Sequence, residues 1–149
     1  MDTPDPRKRE VALLFPRLND SEFDVRSDAT DEYNCIAWAA GVNNDWLDPT
    51  LGCSWPDSLP RNYVTKTFLM LYQKLGYVLC EDGRLEKGYE KVALYERNGL
   101  CKHAARQLPN GLWTSKLGKL FDIEHQRLDG LIGKDYGVIV HFLKRPRAK

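Results

Sequence analysis

Apolar and polar positions along this chain change their spacing about halfway through. In the first half, residues 31–41 set acids and an Asn ahead of Cys35-Ile36-Ala37-Trp38-Ala39-Ala40 and close on Gly41, which predicts a short helix capped at both ends. Asn62 opens a second helix, in which Val64, Phe68, Leu71 and Leu75 recur at helical spacing before Gly76. Between the two, residues 43–61 are punctuated by Pro, Asp and Gly and carry Trp46 and Trp55, a loop suited to lining a cleft. In the second half, residues 77–80, 89–96, 101–108, 112–117 and 137–143 read as strands, and Asn98-Gly99 and Asn110-Gly111 as hairpin turns that join three of them in an antiparallel meander. Residues 122–131 read as a helix with Ile123, Leu128 and Leu131 inward. Residues 1–30 are expected to wrap the domain as an arm, residues 31–145 to form one α+β domain, and residues 146–149 to be a basic tail.

Composition narrows the function classes. With 149 residues and 42% hydrophobic content the chain is long enough to bury a core without staples. Twenty-two Lys and Arg against 21 Asp and Glu leave a net charge of +1, which supplies no long-range field for capturing nucleic acid. The basic residues Lys144, Arg145, Arg147 and Lys149 read as a solvated terminus. No run approaches the roughly 20 apolar residues a membrane span needs, and the apolar stretch after Glu10 is too short for a secretory signal. The expectation is a protein without a membrane, cytoplasmic or exported by a non-classical route.

Chemistry concentrates on Cys35. A thiol becomes a nucleophile as thiolate, and a helix N-terminus together with a nearby imidazole are what lower its pKa. Cys35 falls in the first turn of the predicted helix, and His103, at the start of the strand after Asn98-Gly99, is the natural base. The other cysteines, Cys53, Cys80 and Cys101, form no Cys-x-x-Cys pair and read as small core residues. His141 reads as a core or edge residue, while His125 is either a partner of the site or a surface group. A metal site built on Cys101, His103 and His125 or a remote Cys lacks zinc-ligand spacing.

The blocks Tyr33-Asn34-Cys35-Ile36-Ala37-Trp38-Ala39, Lys102-His103-Ala104-Ala105-Arg106-Gln107 and Gly111-Leu112-Trp113-Thr114-Ser115-Lys116-Leu117-Gly118 occur in an order that resembles the papain-like cysteine hydrolases, especially small bacterial NlpC-type and toxin-associated members. They are similar, too, to an uncharacterised bacterial family with Asn-Cys, His-Ala and Trp-Thr-Ser-Lys-Leu-Gly blocks. The resemblance implies a papain-like α+β fold, with N-terminal helices packed on an antiparallel sheet and the nucleophile at a helix N-terminus. It implies a cysteine peptidase or amidase, acting on a peptide, isopeptide or amide bond through a thioacyl intermediate, with no cofactor and a peptide or protein as partner. A third residue orients the histidine in that family, which points to Ser115 or Lys116 on the neighbouring strand. Serine orients weakly and a charged lysine accepts no proton, so Asp122, just beyond, is chemically the better orienter. The glutamine that supplies an oxyanion donor in papain has no equivalent near Asp28-Ala29-Thr30. That role falls to the Cys35 N–H with Asn34 or Tyr33, and Trp55 is a candidate groove wall. The rival expectation is a catalytically inactive member serving as a protein-binding module, effector-associated or an immunity protein.

Overall fold

The computed structural model describes residues 5–148. Its frame is a seven-stranded, wholly antiparallel sheet in the order β1-β6-β5-β4-β3-β7-β2, built from Phe23–Val25 (β1), Val78–Cys80 (β2), Tyr89–Arg97 (β3), Leu100–Gln107 (β4), Trp113–Lys116 (β5), Asp122–His125 (β6) and Val138–Pro146 (β7). Three α-helices accompany it among the described residues, Pro6–Leu14 (α1), Cys35–Ala39 (α2) and Thr65–Lys74 (α3). The chain is thus α+β, as its change of spacing implies.

Both expected helices form, α2 where its caps dictate and α3 from Thr65, with Val64 rather than Asn62 at its N-cap position and no side-chain cap bond. The Asn34 side chain accepts the Ala37 N–H at 3.1 Å, closing the first turn of α2. Gly41, at φ +85°, ends it in a Schellman turn, with the N–H groups of Gly41 and Val42 donating to Trp38 and Ala37 carbonyls. In α3, Phe68 and Leu71 are buried as expected, while Val64 and Leu75 at its two ends stay exposed.

The sheet has a core on each face, as period-2 alternation along a central strand requires. Val92, Leu94 and Ala104 pack beneath α2 and α3 with Ile36, Ala39, Phe68, Leu71, Tyr72 and Trp55. On the other face, Ala93, Tyr95 and Ala105 meet Val11, Phe15, Phe23, Ile123 and Leu131.

Three expectations on organisation need correction. Much of residues 1–30 is integral rather than a wrapping arm, because β1 pairs with β6 and α1 buries Val11 in the second core; residues 1–4 lie outside the described residues. Residues 122–131 are not a helix but β6 followed by a 3-10 turn, Leu128–Leu131. Ile123 is buried from a strand held on both sides, by Val25 and by Ser115, and that pairing overrides the local helical spacing. The basic C-terminal residues are engaged rather than solvated: Lys144 pairs with Glu86 at 2.8 Å, Arg145 with Glu90 at 2.6 Å, and Arg147 donates to the Tyr89 carbonyl. Lys149 lies outside the described residues.

Candidate functional site

Cys35 opens α2, and with Asn34, Ile36, Trp46, Asp48, Tyr63, Phe68, Cys101, Lys102 and Gly118 it walls a cleft of about 220 Å³. The residue is half-buried, and burial pushes the thiol pKa up to about 11; the nearby amides of Ala104, Ile36 and Cys35 itself, and then the Lys116 charge, pull it down by less. All four cysteines are free thiols.

His103 is not brought to this cleft. An extra residue, Lys102, bulges from β4, since Tyr95 pairs with His103 and the next β3 residue, Glu96, pairs with Cys101. His103 therefore leaves the strand toward the second core while its neighbour Ala104 faces α2. Its fully buried ring lies parallel to Tyr136 at 4.2 Å and edge-on to Tyr95 at 5.3 Å. Neither ring nitrogen has a hydrogen-bond partner among the described residues. Burial, with the His125 charge adding to it, holds this imidazole well below its usual pKa, so it is neutral. The expected Cys35–His103 hydrogen bond is absent.

The other expected site residues separate by face. Asp122, on the α2 side, orients no histidine; its carboxylate accepts the Tyr33 hydroxyl at 2.6 Å, which commits Tyr33 as well. Ser115 faces the second core and shares a 2.8 Å hydrogen bond with Nε2 of His125, whose Nδ1 lies 3.0 Å from the Arg127 carbonyl. Because a carbonyl only accepts, Nδ1 carries the proton and Ser115 donates to Nε2. Burial lowers the His125 pKa to about 4. Asn34 is no oxyanion donor: besides capping α2, it clamps Leu47 by accepting its N–H at 3.1 Å and donating to its carbonyl at 2.7 Å. Trp55 is a core residue, buried edge-on against Phe68 with its indole N–H on the Pro60 carbonyl, and Trp46 takes the cleft wall instead. Trp38 ties α2 to the sheet through a 2.8 Å hydrogen bond to Thr114. His141 is half-buried on β7, paired with Leu94.

Sequence reasoning discounts Lys116, because a charged amine orients no imidazole, yet the fold gives it a central place. It is fully buried, donates to the Thr30 and Gly118 carbonyls, and sits over the Tyr33 ring at 5.1 Å. Burial lowers its pKa, while Asp122 and Cys35 favour its charged form. Thus Cys35, Lys116, Tyr33 and Asp122 share one side of the sheet, and His103, Ser115 and His125 the other. Plain alternation along β5 and β6 separates Ser115 from Lys116 and His125 from Asp122, while His103 is turned from Cys101's face by the Lys102 bulge, for which sequence carries no signal. No group of three or more potential metal ligands occurs among the described residues, and no described helix is long and apolar enough to cross a membrane.

Residues 24–144 match the family model described as a domain of unknown function, DUF7689, and the chain belongs to that family. No curated protein and no solved structure matches it.

Proposed function

We propose that this DUF7689 domain is a cysteine hydrolase or acyltransferase of papain-like organisation, with Cys35 as the nucleophile toward a peptide, isopeptide or other amide. One observation carries the reading: a free thiol begins a capped helix on the wall of an open cleft, with the Ala104 amide against its sulfur and the Lys116 cation on the same face. An antiparallel sheet with a Cys-bearing helix packed on β4 and β5 suits the papain-like arrangement. Lys116 takes the charge-stabilising part expected of His103. Its ammonium favours the thiolate as sulfur attacks the acyl carbon, and water in the cleft carries the thiol proton to the leaving amine. Hydrolysis or transfer to a second amine then frees the sulfur.

The test is an acyl-directed thiol probe, followed by mass spectrometry, on wild type, Cys35→Ala, Lys116→Met and His103→Leu. The reading expects a Cys35 adduct that slows sharply in Lys116→Met and persists in His103→Leu. Labelling that survives Cys35→Ala, or disappears in His103→Leu while the protein stays folded, would overturn it.

A second reading, a non-catalytic protein-binding module, draws on a different observation. The thiol is held protonated at neutral pH, with no base in hydrogen-bond reach among the described residues. It expects ligand binding in the cleft without any Cys35 adduct.

A further inference from the structure

The cleft beside Cys35 has an uneven chemistry. Ile36, Trp46, Tyr63, Phe68 and Cys101 supply apolar wall, Asn34 and Gly118 lie beside the thiol, and Asp48 and Lys102 are its two charged side chains. Asp48 carries a negative charge but is held in place by two donors, its Oδ1 accepting both the Tyr63 hydroxyl and the Thr50 N–H. Lys102 makes no ion pair or side-chain hydrogen bond among the described residues. It occupies the bulge of β4, and a bulge re-aims the side chain it carries. Here the extra residue adds a half-buried lysine, without an ion-pair partner among the described residues, to the lining of a mainly apolar hollow. At about 220 Å³ the hollow is smaller than the roughly 300–1,000 Å³ typical of pockets for whole drug-sized ligands, and suits one amino-acid-sized group.

We propose that this cleft selects an apolar residue bearing a free carboxylate, with Lys102 as the counter-charge and the Trp46, Tyr63 and Phe68 rings as the seat of its side chain. The assignment rests on the cleft's being the substrate site, and it names the substrate class: a chain-terminal apolar residue placed next to the Cys35 sulfur. Binding itself requires no reaction at Cys35, so the two ideas can fail separately. Carboxylate recognition by a single lysine is a point-charge contact rather than a bidentate clamp, so specificity comes from the apolar seat and preference from charge.

The experiment uses the full chain carrying Cys35→Ser, titrated with N-acetyl-phenylalanine, its neutral amide and the cationic phenylalanine amide, and read by calorimetry and tryptophan fluorescence. Anion should bind at least tenfold more tightly than neutral ligand, and neutral more tightly than cation. The preference should collapse in Lys102→Met and shrink as salt rises. Equal affinity for acid and amide, a preference for the cation, a preference that survives Lys102→Met, or no binding of any of the three overturns the proposal. If the acid is preferred yet Cys35 forms no adduct in wild type, the hydrolase reading falls and the carboxylate site stands. If Cys35 forms an adduct but the acid is not preferred, the carboxylate site falls and the hydrolase reading stands.

Discussion

Replacing His103 by leucine should stabilise this protein, and more so as the solution is made acid. The ring is fully buried, with both nitrogens unpartnered among the described residues, and each such atom forfeits a hydrogen bond it makes to water in the unfolded chain. Removing them recovers about 1–3 kcal/mol, against which the lost stacking on Tyr136 and Tyr95 costs about 0.5–1.5 kcal/mol. At pH 7 the net gain is therefore about 1 kcal/mol. The pH dependence is the sharper part. Native His103 has its pKa far below 6.5, whereas the unfolded imidazole titrates near that value, so the unfolded state binds the extra proton. The stability this position holds is intact above pH 6.5 and is lost as pH falls below it, by about 2 kcal/mol at pH 5. Leucine has no proton to bind, so the variant's advantage should grow from about 1 kcal/mol at pH 7 to about 3 kcal/mol at pH 5. Urea unfolding of both proteins at pH 7, 6 and 5 measures this directly, and carboxylate titration common to both cancels in the difference. A wild type more stable than the variant at pH 5, or a difference independent of pH, would refute the burial and isolation of the ring. It would fit instead a histidine that is partnered or open to solvent, as a base for Cys35 must be.

Other outcomes follow from the same geometry. Alkylation of Cys35 by iodoacetamide should climb about tenfold per pH unit through the neutral and mildly alkaline range, levelling only near pH 11, because burial keeps the thiol protonated below that; a plateau below pH 8, read by peptide mass spectrometry, would contradict this. Lys116→Met should lower stability in urea by about 2–3 kcal/mol, because the Thr30 and Gly118 carbonyls lose a charged donor; a loss under about 0.5 kcal/mol would mean they are resolvated. Asn34→Ala removes the α2 cap and both contacts to Leu47, so it should cost about 2 kcal/mol and shift Trp46 emission to the red as the neighbouring loop loosens; unchanged emission would contradict the clamp. Gly41→Ala places a side chain at φ +85° and should cost about 1 kcal/mol of thermal stability; a neutral result would show that the turn relaxes.

Much of this molecule is written in runs of neighbouring residues. Asn34 and Gly41 bound α2, the Phe68 and Leu71 spacing marks the buried side of α3, and Asn98-Gly99 closes the β3–β4 hairpin, with Asn98 at φ 54° and Gly99 at φ 80°. Each of these depends on groups a few positions apart, so the local chain suffices to specify it. The cleft was legible at Cys35, whose helix position is also local, and in the loop that carries Trp46, but not in the strand residues that complete it. Strand β1 and the strand character of residues 122–125 were not legible, because both exist only through pairing with segments remote in the chain. The face on which His103 lies is of the same kind. Side chains alternate along a strand, so one extra residue at Lys102 reverses the direction of all that follow, and nothing in the composition of Cys101-Lys102-His103 marks which residue is extra. Sequence determined α2, α3, the meander and the nucleophile's place at a helix start; tertiary pairing decided that Lys116 and Asp122, not His103, stand on that nucleophile's side, because facing is a property of register and register belongs to the whole sheet.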